Sequence, residues 1–391
     1  MDLNLSPDAL KFRDELRAWL DVNLERSYTE EVLAPNADED SLVEVRRQFQ
    51  KKLNDAGYLG MGWPTEWGGR GATQVEEAIL RAELAAVDAP QSPNALGIGL
   101  CAPALIHHGT EEQRNRFLPK MLSCDEIWCQ GFSEPGAGSD LAGIRTKAEP
   151  DGDDYRITGQ KVWTTLGPWS NWIFVLARTD MDDRHGGITF FLMPIDQPGV
   201  EMRALKQISG ESEFGEVFFD NALAKREHIV GKIGEGWRIA MTVLGFERGG
   251  STLLPSAEFG HQLDCLVDAV RTNGDLERPD VREKLGNLIV ENEVLRANGM
   301  RTLANVAQDL PPGPESSIDK IFWSEFHQRM TDTAIELMGP QGLLALRSPG
   351  ARTDVHWMRE FLWARAGTIY SGSSEIQRNI IAKRVLQMPT K

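Results

Sequence analysis

The spacing of apolar residues marks two helical regions, one at each end of the chain. Up to residue 125, Leu80, Leu84 and Val87 recur at helical spacing with charged residues between them. From residue 236 onward the pattern is helical again, and one face of a long helix is marked by Val281, Leu285, Leu288, Ile289 and Leu295. A last helix is predicted to begin near Ser373-Ser374-Glu375, where hydroxyl residues precede an acidic one.

Between these helical regions, residues 126–232 are predicted to form short strands. Residues 154–158 alternate, Gly159-Gln160 predicts a turn, and 161–165 follow, which together indicate a β-hairpin. Three further apolar runs are rich in β-forming residues: 172–177, 188–193 and 216–219. Short strands with turn signals between them are typical of a compact β-domain.

The order helices, strands, helices predicts an α+β protein with three domains, at residues 1–125, 126–232 and 233–391. This order differs from the alternating βαβ pattern of a dinucleotide-binding fold. Any glycine-rich turn in the middle region is therefore not a Rossmann fingerprint.

Composition and charge narrow the functional classes. The net charge of −16 disfavours nucleic acid as a partner, since a phosphate backbone requires basic patches. The four cysteines are scattered without a CxxC pair, and the adjacent His107-His108 point in different directions on a helix, so we predict no metal site. No apolar stretch reaches the roughly 18 residues of a membrane span. The N-terminus lacks a signal-peptide core, so we expect a cytoplasmic protein.

Residues 133–140, Ser-Glu-Pro-Gly-Ala-Gly-Ser-Asp, directly follow the apolar run 127–132. Glycines let a backbone turn sharply and let a ligand approach it closely. Successive peptide N–H groups in such a turn form a concavity that binds anions, and Ser139 adds a hydroxyl donor. The segment is a candidate site for a cofactor's pyrophosphate, although an isolated Gly-x-Gly is more often an ordinary surface turn.

Three separated motifs resemble those of the acyl-CoA dehydrogenase family, in matching order and spacing. They are residues 128–140, Gly-Gln-Lys-Val-Trp-Thr-Thr at 159–165 and Gly-Ser-Ser-Glu-Ile-Gln-Arg at 372–378. Residues 108–113 and 117–119 are also similar to the family. The resemblance covers nearly the whole chain. It implies an N-terminal α-helical domain, a central β-barrel or β-sandwich domain and a C-terminal four-helix bundle, assembled as a dimer or tetramer.

The resemblance also implies FAD as the cofactor, an acyl-CoA thioester as the substrate and α,β-dehydrogenation as the reaction. Trp163 would pack beside the isoalloxazine ring, Thr165 would hydrogen-bond near its N5, and Ser139 would meet the pyrophosphate or the substrate. The residues expected to bind the cofactor are Gln130, Phe132, Ser133, Gly138, Ser139, Trp163, Thr164, Thr165, Ser373 and Glu375.

The base of the reaction is not where most relatives place it. They carry a glutamate directly before the glycine of the C-terminal motif, but this chain has Ser371 there, whose hydroxyl is too weak a base at neutral pH. A minority of the family places its glutamate on a helix beside an arginine, and Glu247 and Arg248 match that position. We predict Glu247 as the base, although adjacent Glu and Arg on a helix are usually solvent-facing charges. The backbone N–H of Ser371 keeps the family's role of polarising the thioester carbonyl.

Two segments depart from the family pattern. An Arg-x-x-Phe-Gly segment, which in relatives reaches the FAD of a neighbouring subunit, is replaced by residues 271–280, and a Gln-x-x-Gly-Gly motif is altered to Glu-Leu-Met-Gly-Pro at 336–340. The chain thus keeps its own half of the flavin site but lacks the half that it would lend to a neighbour. This resembles subunits of α2β2 acyl-CoA dehydrogenases of bacterial steroid side-chain degradation, where a partner chain completes each site and half the flavins are missing. A homo-oligomer that holds the adenosine end of FAD by other contacts is the alternative.

The predicted function is oxidation of an acyl-CoA to the trans-2-enoyl-CoA, with electrons passed to an electron-transfer flavoprotein. It would serve fatty acid or steroid side-chain β-oxidation, and the acyl chain, whether fatty, branched or steroid, stays open. One alternative is an oxygen-using flavoenzyme on the same scaffold, either an acyl-CoA oxidase or a monooxygenase. The other is a non-catalytic subunit of a heteromeric dehydrogenase.

Overall fold

The computed structural model describes residues 5–25, 38–249, 254–306, 308, 310, 313–345, 348–350 and 355–389. For residues 247–249 and 306 the backbone is described but the side chains are not. The chain divides into two compact units. We call residues 39–71 and 91–247 the sheet unit, and residues 1–38, 72–90 and 248–391 the bundle unit.

The described elements follow the predicted order of helices, strands and helices. The α-helices are α1 (Pro7–Asn23), α2 (Glu39–Asp55), α3 (Gln74–Ala86), α4 (Ala102–His108), α5 (Glu111–Leu122), α6 (Gly236–Gly249), α7 (Leu254–Thr272), α8 (Pro279–Val306), α9 (Ser316–Met338), α10 (Trp357–Gly367) and α11 (Ser374–Ile380). The strands are β1 (Trp128–Gly131), β2 (Lys147–Asp151), β3 (Asp154–Thr165), β4 (Trp172–Arg178), β5 (Ile188–Pro194), β6 (Val200–Leu205), β7 (Phe214–Ala224) and β8 (Ile229–Val230).

The strands form one sheet in the order β6-β7-β3-β2-β4-β5-β8, with β1 added in parallel to β4. The neighbours are mostly antiparallel, and β3 pairs with β7 along most of its length. Apolar side chains of β4 and β5 are buried on both faces of this sheet, because helices of the sheet unit cover one face. This burial explains why the sequences of those two strands are continuous apolar runs.

The prediction of a hairpin turn at Gly159-Gln160 is wrong. Strand β3 runs without interruption from Asp154 to Thr165, and the hairpin joins β2 to β3 through the turn at Gly152, whose φ is 63°. Gly159 has another purpose: a Cβ there would lie 2.7 Å from the Cα of Thr146. The glycine lets β3 pass close to a neighbouring segment at a register shift in its pairing with β7.

Capping boxes start two of the helices. Thr73 and Glu76 exchange side-chain and backbone hydrogen bonds at the start of α3, and Thr110 and Gln113 do the same for α5. The Gln113 amide also donates to the backbone carbonyls of residues 227 and 229, both at 2.8 Å. These bonds fasten α5 to the edge of the sheet within the sheet unit.

The bundle unit has its own apolar core. Helices α7, α8, α9 and α10 contribute its buried residues, which include Phe259, Leu266, Leu285, Phe326 and Trp357. None of the helices in the described ranges has the length and apolar composition needed to cross a membrane. The two-unit division differs from the three domains that the sequence predicts, whose boundaries stay a prediction.

Candidate active site

The strand that leads into the glycine-rich segment is fixed by a buried amide. Asn94 is fully buried; its nitrogen donates to the carbonyls of Met121 at 2.8 Å and Glu126 at 3.0 Å, and its oxygen accepts from the Trp128 N–H at 2.8 Å. Because Trp128 begins β1, this side chain sets where the strand starts. Gln130 follows on the same strand and is half-buried.

The two residues after β1 have different surroundings. Phe132 is buried, and its ring meets Phe174 and Phe190 edge-on, with centroids 5.8 Å and 6.1 Å away. That ring belongs to the core, so a ligand would meet the backbone here. Ser133 is half-buried, and its carbonyl accepts from the N–H of Val162 on β3 at 3.0 Å. This bond brings together the two stretches that are predicted to bind the cofactor, residues 130–139 and residues 163–165.

The turn itself is closed by two backbone hydrogen bonds and is open on its outer side. Glu134 and Ala137 exchange N–H···O bonds of 2.9 Å and 3.0 Å. Gly138 and Ser139, which follow, are exposed. A Cβ at Gly138 would meet no heavy atom within 4 Å, so packing within the described chain does not require glycine there. Open space of this kind is what the close approach of a phosphate needs.

A buried ion pair lies behind the turn. The Lys161 ammonium on β3 is 2.8 Å from the Glu134 carboxylate, and both side chains are almost completely buried. Burial lowers the pKa of Lys161 to about 8, while the charge of Glu134 acts to raise it. Burial acts to raise the pKa of Glu134, but the Lys161 ammonium and the hydrogen bonds outweigh burial and leave it lowered. Both groups are therefore charged at neutral pH.

The end of β3 presents an exposed tryptophan in a strained backbone. Trp163 has a φ of 61° and is 62% exposed, and its ring meets Phe214 edge-on at 6.1 Å. A positive φ is unfavourable for a bulky residue, and such strain is concentrated at functional sites. The register shift between residues 161 and 164 accommodates it.

The two threonines after Trp163 differ in burial. Thr165 is half-buried and pairs with Phe214 of β7. Thr164 is fully buried, and its hydroxyl has no hydrogen-bond partner among the described residues. A buried polar group without a partner is costly, and a bound group can supply one.

These features fit a flavin cofactor. An exposed indole can pack against a planar ring system, the open glycine turn can receive a pyrophosphate, and Thr164 offers an unpaired hydroxyl. We find no cluster of three or more His, Cys, Asp or Glu side chains suited to a metal in the part of the chain that the structure describes.

The C-terminal motif belongs to the bundle unit, where a buried amide shapes it. Ser371 has a φ of 54° and Gly372 a φ of 86°, and the amide nitrogen of Gln377 donates to both of their carbonyls, at 3.1 Å and 3.2 Å. Ser373 is the N-cap residue of α11, and its hydroxyl lowers the pKa of the exposed Glu375 by hydrogen bonding. The left-handed turn thus sets the direction of the Ser371 backbone before the helix begins.

Helix α6 carries positions 247 and 248 near its C-terminal end, and the side chains of Glu247 and Arg248 lie outside the described residues. At residues 238 and 242, nearer its N-terminal end, α6 is fastened to α4 within the sheet unit. The Nε2 of His108 lies 2.9 Å from the Thr242 hydroxyl, and Arg238 donates to Nδ1 at 3.2 Å. Since arginine can only donate, Nδ1 accepts and Nε2 carries the proton.

Lys161 and His108 are absent from the residues that sequence reasoning selects. Lys161 lies in the motif at 159–165. On β3 it occupies an alternate position that faces inward, as Tyr155 and Ile157 do. A lysine at an inward position of a strand needs a buried partner, and that was the available signal. His108 carries no comparable signal, because its partners are 130 and 134 positions away along the chain.

Comparison with known proteins identifies the family of the chain. Three family models match consecutive stretches: the acyl-CoA dehydrogenase N-terminal domain at residues 8–125, the middle domain at 129–222 and the C-terminal domain at 234–386. Together these confirm the predicted α+β architecture of a helical N-terminal region, a central sheet and a helical C-terminal region.

Several relatives extend over the whole chain. Acyl-CoA dehydrogenase IpdE1 of Mycobacterium tuberculosis is 41% identical over 384 residues, 98% of each chain. Acyl-CoA dehydrogenase FadE34 of the same organism is 36% identical over 364 residues, which are 92% of this chain and 48% of FadE34. Among solved structures, the Tcur3481-Tcur3483 steroid ACAD matches with a TM-score of 0.90 at 29% identity, covering 100% of both chains. The ChsE4-ChsE5 complex of M. tuberculosis matches with a TM-score of 0.86 at 26% identity, again over 100% of both chains.

These matches confirm the resemblance drawn from the three motifs, and with it the expectations of an oxidoreductase and of FAD as its cofactor. The chain belongs to the acyl-CoA dehydrogenase family.

Proposed function

We propose that this protein removes two hydrogens from the α and β carbons of an acyl-CoA thioester, giving the trans-2-enoyl-CoA. The observation that carries the proposal is the state of residues 163–164: a strained, exposed indole next to a buried hydroxyl without a partner in the described chain. Both features are explained if a flavin ring lies there. Family membership supplies the reaction class.

The residues of the sheet unit would hold FAD from two sides. The backbone of 132–139 would contact it through peptide groups, with Gly138 and Ser139 toward the pyrophosphate, and Ser133 would lie with residues 163–165 beside the flavin ring. When bound, FAD supplies the acceptor for a hydride from the substrate's β-carbon. The chain itself then has to orient the thioester and take up one proton.

Glu247 is the proposed acceptor of the α-proton. Its carboxylate takes the proton as the α-carbon–hydrogen bond breaks, and that electron pair forms the new double bond while the hydride leaves the β-carbon. Support comes from its place on α6, which the His108 contacts hold to α4, and from the serine at position 371. Arg248 matches the arginine that stands next to the glutamate in that minority of the family.

The Ser371 backbone is proposed to bind the thioester carbonyl. Its N–H would donate to the carbonyl oxygen, which increases the acidity of the α-proton and stabilises negative charge on the oxygen. The two bonds from Gln377 to the carbonyls of residues 371 and 372 hold this turn in one conformation. A backbone donor is unaffected by the change of side chain from glutamate to serine.

A partner chain is proposed to complete the flavin site. In the altered segment 271–280, Arg278 is 2.8 Å from Asp280 and 3.4 Å from Asp275, so this arginine is engaged by its own neighbours. In the altered segment 336–340, Glu336 pairs with Lys284 at 2.5 Å. Both segments thus make ion pairs inside the bundle unit. The similar structures Tcur3481-Tcur3483 and ChsE4-ChsE5 are two-component complexes, which supports a heteromeric assembly here.

The same relatives favour a steroid-derived acyl chain as the substrate class, since Tcur3481-Tcur3483 is a steroid ACAD. Electrons are proposed to pass to an electron-transfer flavoprotein. The test is to mix the purified protein, with any partner that co-purifies, with fatty, branched and steroid acyl-CoAs without oxygen. We expect loss of flavin absorbance with the steroid class, and reoxidation by an electron-transfer flavoprotein faster than by air. A flavin that no acyl-CoA reduces would contradict the proposal, and rapid reoxidation by air with peroxide release would favour an oxidase.

A further inference from the structure

The Lys161 side chain is completely buried, which is rare for lysine and needs an explanation. It lies on β3 at an inward-facing position, two residues before the exposed Trp163. An ammonium group removed from water costs free energy unless several hydrogen bonds compensate it. The identity of those bonds indicates what the residue does.

The ammonium holds the start of the glycine-rich segment. It donates to the backbone carbonyl of Phe132 at 3.1 Å and to the carboxylate of Glu134 at 2.8 Å. Both acceptors belong to the segment that precedes Gly138. One side chain of β3 therefore contacts this segment at two points.

Glu134 extends the connection to a third segment. One of its carboxylate oxygens accepts from the N–H of Arg145 at 2.6 Å, and the other accepts from the N–H of Thr146 at 2.9 Å as well as from Lys161. The Val162 N–H on β3 also donates to the Ser133 carbonyl, at 3.0 Å. The turn is thus tied to β3 on one side and to the segment before β2 on the other.

Stability alone is a weak reason for such a pair. A buried ion pair contributes little net stability compared with apolar side chains of similar volume, because two charges must be removed from water. The ion pair also fixes the direction of the Phe132 carbonyl and of the peptide groups after it, which apolar side chains would not do. Those peptide groups are the ones that the proposed function places against FAD.

We propose that Lys161 and Glu134 are positioning residues for the flavin site, which hold the turn at 132–138 in register with Trp163 and Thr164. This inference rests on the proposed placement of FAD. Neither side chain touches the cofactor in this proposal; each acts through the backbone that it holds.

The test measures FAD affinity in the full chain, together with any partner that co-purifies, after removal of bound flavin. In Lys161→Met the two ammonium bonds are lost, and we expect the Kd for FAD to rise by about tenfold or more, since charged hydrogen bonds are being removed. The absorption and visible circular dichroism bands of bound flavin should also shift. The control is Lys147→Met, an exposed lysine on β2, which should bind FAD as wild type does.

A second variant separates positioning from folding. Lys161→Met leaves the Glu134 charge buried without its ion partner and can unfold the protein, so the double variant Lys161→Met/Glu134→Gln removes both charges. Its amide oxygen can still accept from the backbone N–H of Thr146. We expect its thermal stability to recover toward wild type while its FAD affinity stays reduced. If the double variant folds and binds FAD with wild-type affinity and an unchanged flavin spectrum, the inference is overturned.

The pH dependence of binding gives a readout that a purely structural role would not change. Because the pKa of Lys161 lies at about 8, raising the pH from 7 to 9 removes the ammonium charge that holds the turn. Wild-type affinity for FAD should weaken over this range by more than that of the double variant, and equal pH profiles would count against the inference. If the variants lose FAD affinity as expected but no acyl-CoA reduces the flavin of the wild type, the proposed function is refuted and this inference stands.

Discussion

Among single residues, Trp163 has a bulky ring that burial in the described chain does not explain, since the ring is 62% exposed. Its φ is positive, and its ring meets Phe214 edge-on. The sequence motif predicted that Trp163 lies at the cofactor, but its φ follows from the register shift with β7, which depends on pairing between distant segments. The burial of Lys161 was predictable in part, because the alternation of β3 places this residue inward. Its ion pair with Glu134 could not be predicted from the sequence.

The substitution Gly138→Ala should separate an effect on FAD binding from an effect on folding. The position has open space around it and lies outside the positive-φ glycines, so alanine should leave the free energy of unfolding unchanged or raise it by about 0.4–1 kcal/mol. If a pyrophosphate approaches this turn, the added methyl group should weaken FAD binding by about tenfold, comparable to the loss of one hydrogen bond to a charged group. Chemical denaturation and FAD titration of the same preparation provide both values.

The control for that substitution is Gly286→Ala on helix α8, where a Cβ also meets no heavy atom within 4 Å. Alanine there should stabilise the helix by about 1 kcal/mol, as expected for replacing a glycine inside a helix. It should leave FAD binding unaltered. Equal FAD affinities for the two variants would argue against the turn as the phosphate site.

At the scale of elements, local patterns correctly predicted the helices and the strands β4, β5 and β7, and failed at the hairpin turn and the strand order. The long apolar face at residues 281–295 predicted α8, and the hydroxyl and acidic residues near 373–375 predicted α11. The Gly159-Gln160 pair resembled a hairpin turn, yet the glycine serves a close approach to Thr146 in space. Strand order could not be predicted, because neighbours such as β3 and β7 are separated by long stretches of sequence. The contact between α4 and α6 was hidden for the same reason.

That contact predicts a specific loss of stability in acid. Burial, and then the charge of Arg238, lower the pKa of His108 below its ordinary value of 6.5. The folded state therefore favours the neutral ring, and the stabilising contribution is present above pH 6.5 and is lost as the pH falls through the lowered pKa. We expect the free energy of unfolding to fall less steeply below pH 6.5 in His108→Leu than in wild type.

His228 and His356 also have lowered pKa values, both through burial first, and they add to the acid sensitivity of wild type. For this reason only the difference between wild type and His108→Leu is informative. A second check is Arg238→Gln, in which removing the positive charge should raise the pKa of His108 measured by NMR. Identical slopes for wild type and His108→Leu would show that the ring does not fasten α6.

At the scale of the whole molecule, we propose that the chain supplies one side of a flavin site and that a partner chain supplies the other. The three family matches extend from residue 8 to residue 386, so the differences are local substitutions within a shared fold. Residues 271–280 and 336–340 make ion pairs within the bundle unit instead. The sequence revealed these departures because the family motif fixes which residue types are expected.

Flavin content should therefore depend on a partner chain. Expressed alone, the chain should contain clearly less than one FAD per subunit, and co-expression with its partner should raise the content of the complex. Absorbance at the flavin band, divided by protein concentration after size-exclusion chromatography, measures this ratio. A homotetramer with one FAD in every subunit would rule out the need for a partner.

The central claim is that the proton is removed by Glu247. The most direct measurement is the single-turnover rate of flavin reduction by an acyl-CoA substrate without oxygen, in wild type, in Glu247→Gln and in the control Glu201→Gln, an exposed carboxylate paired with Arg203. We predict that Glu247→Gln binds FAD normally and reduces it about a hundredfold more slowly or worse, as expected for the loss of a general base. The control should match wild type. Flavin reduction at the wild-type rate in Glu247→Gln would contradict the account.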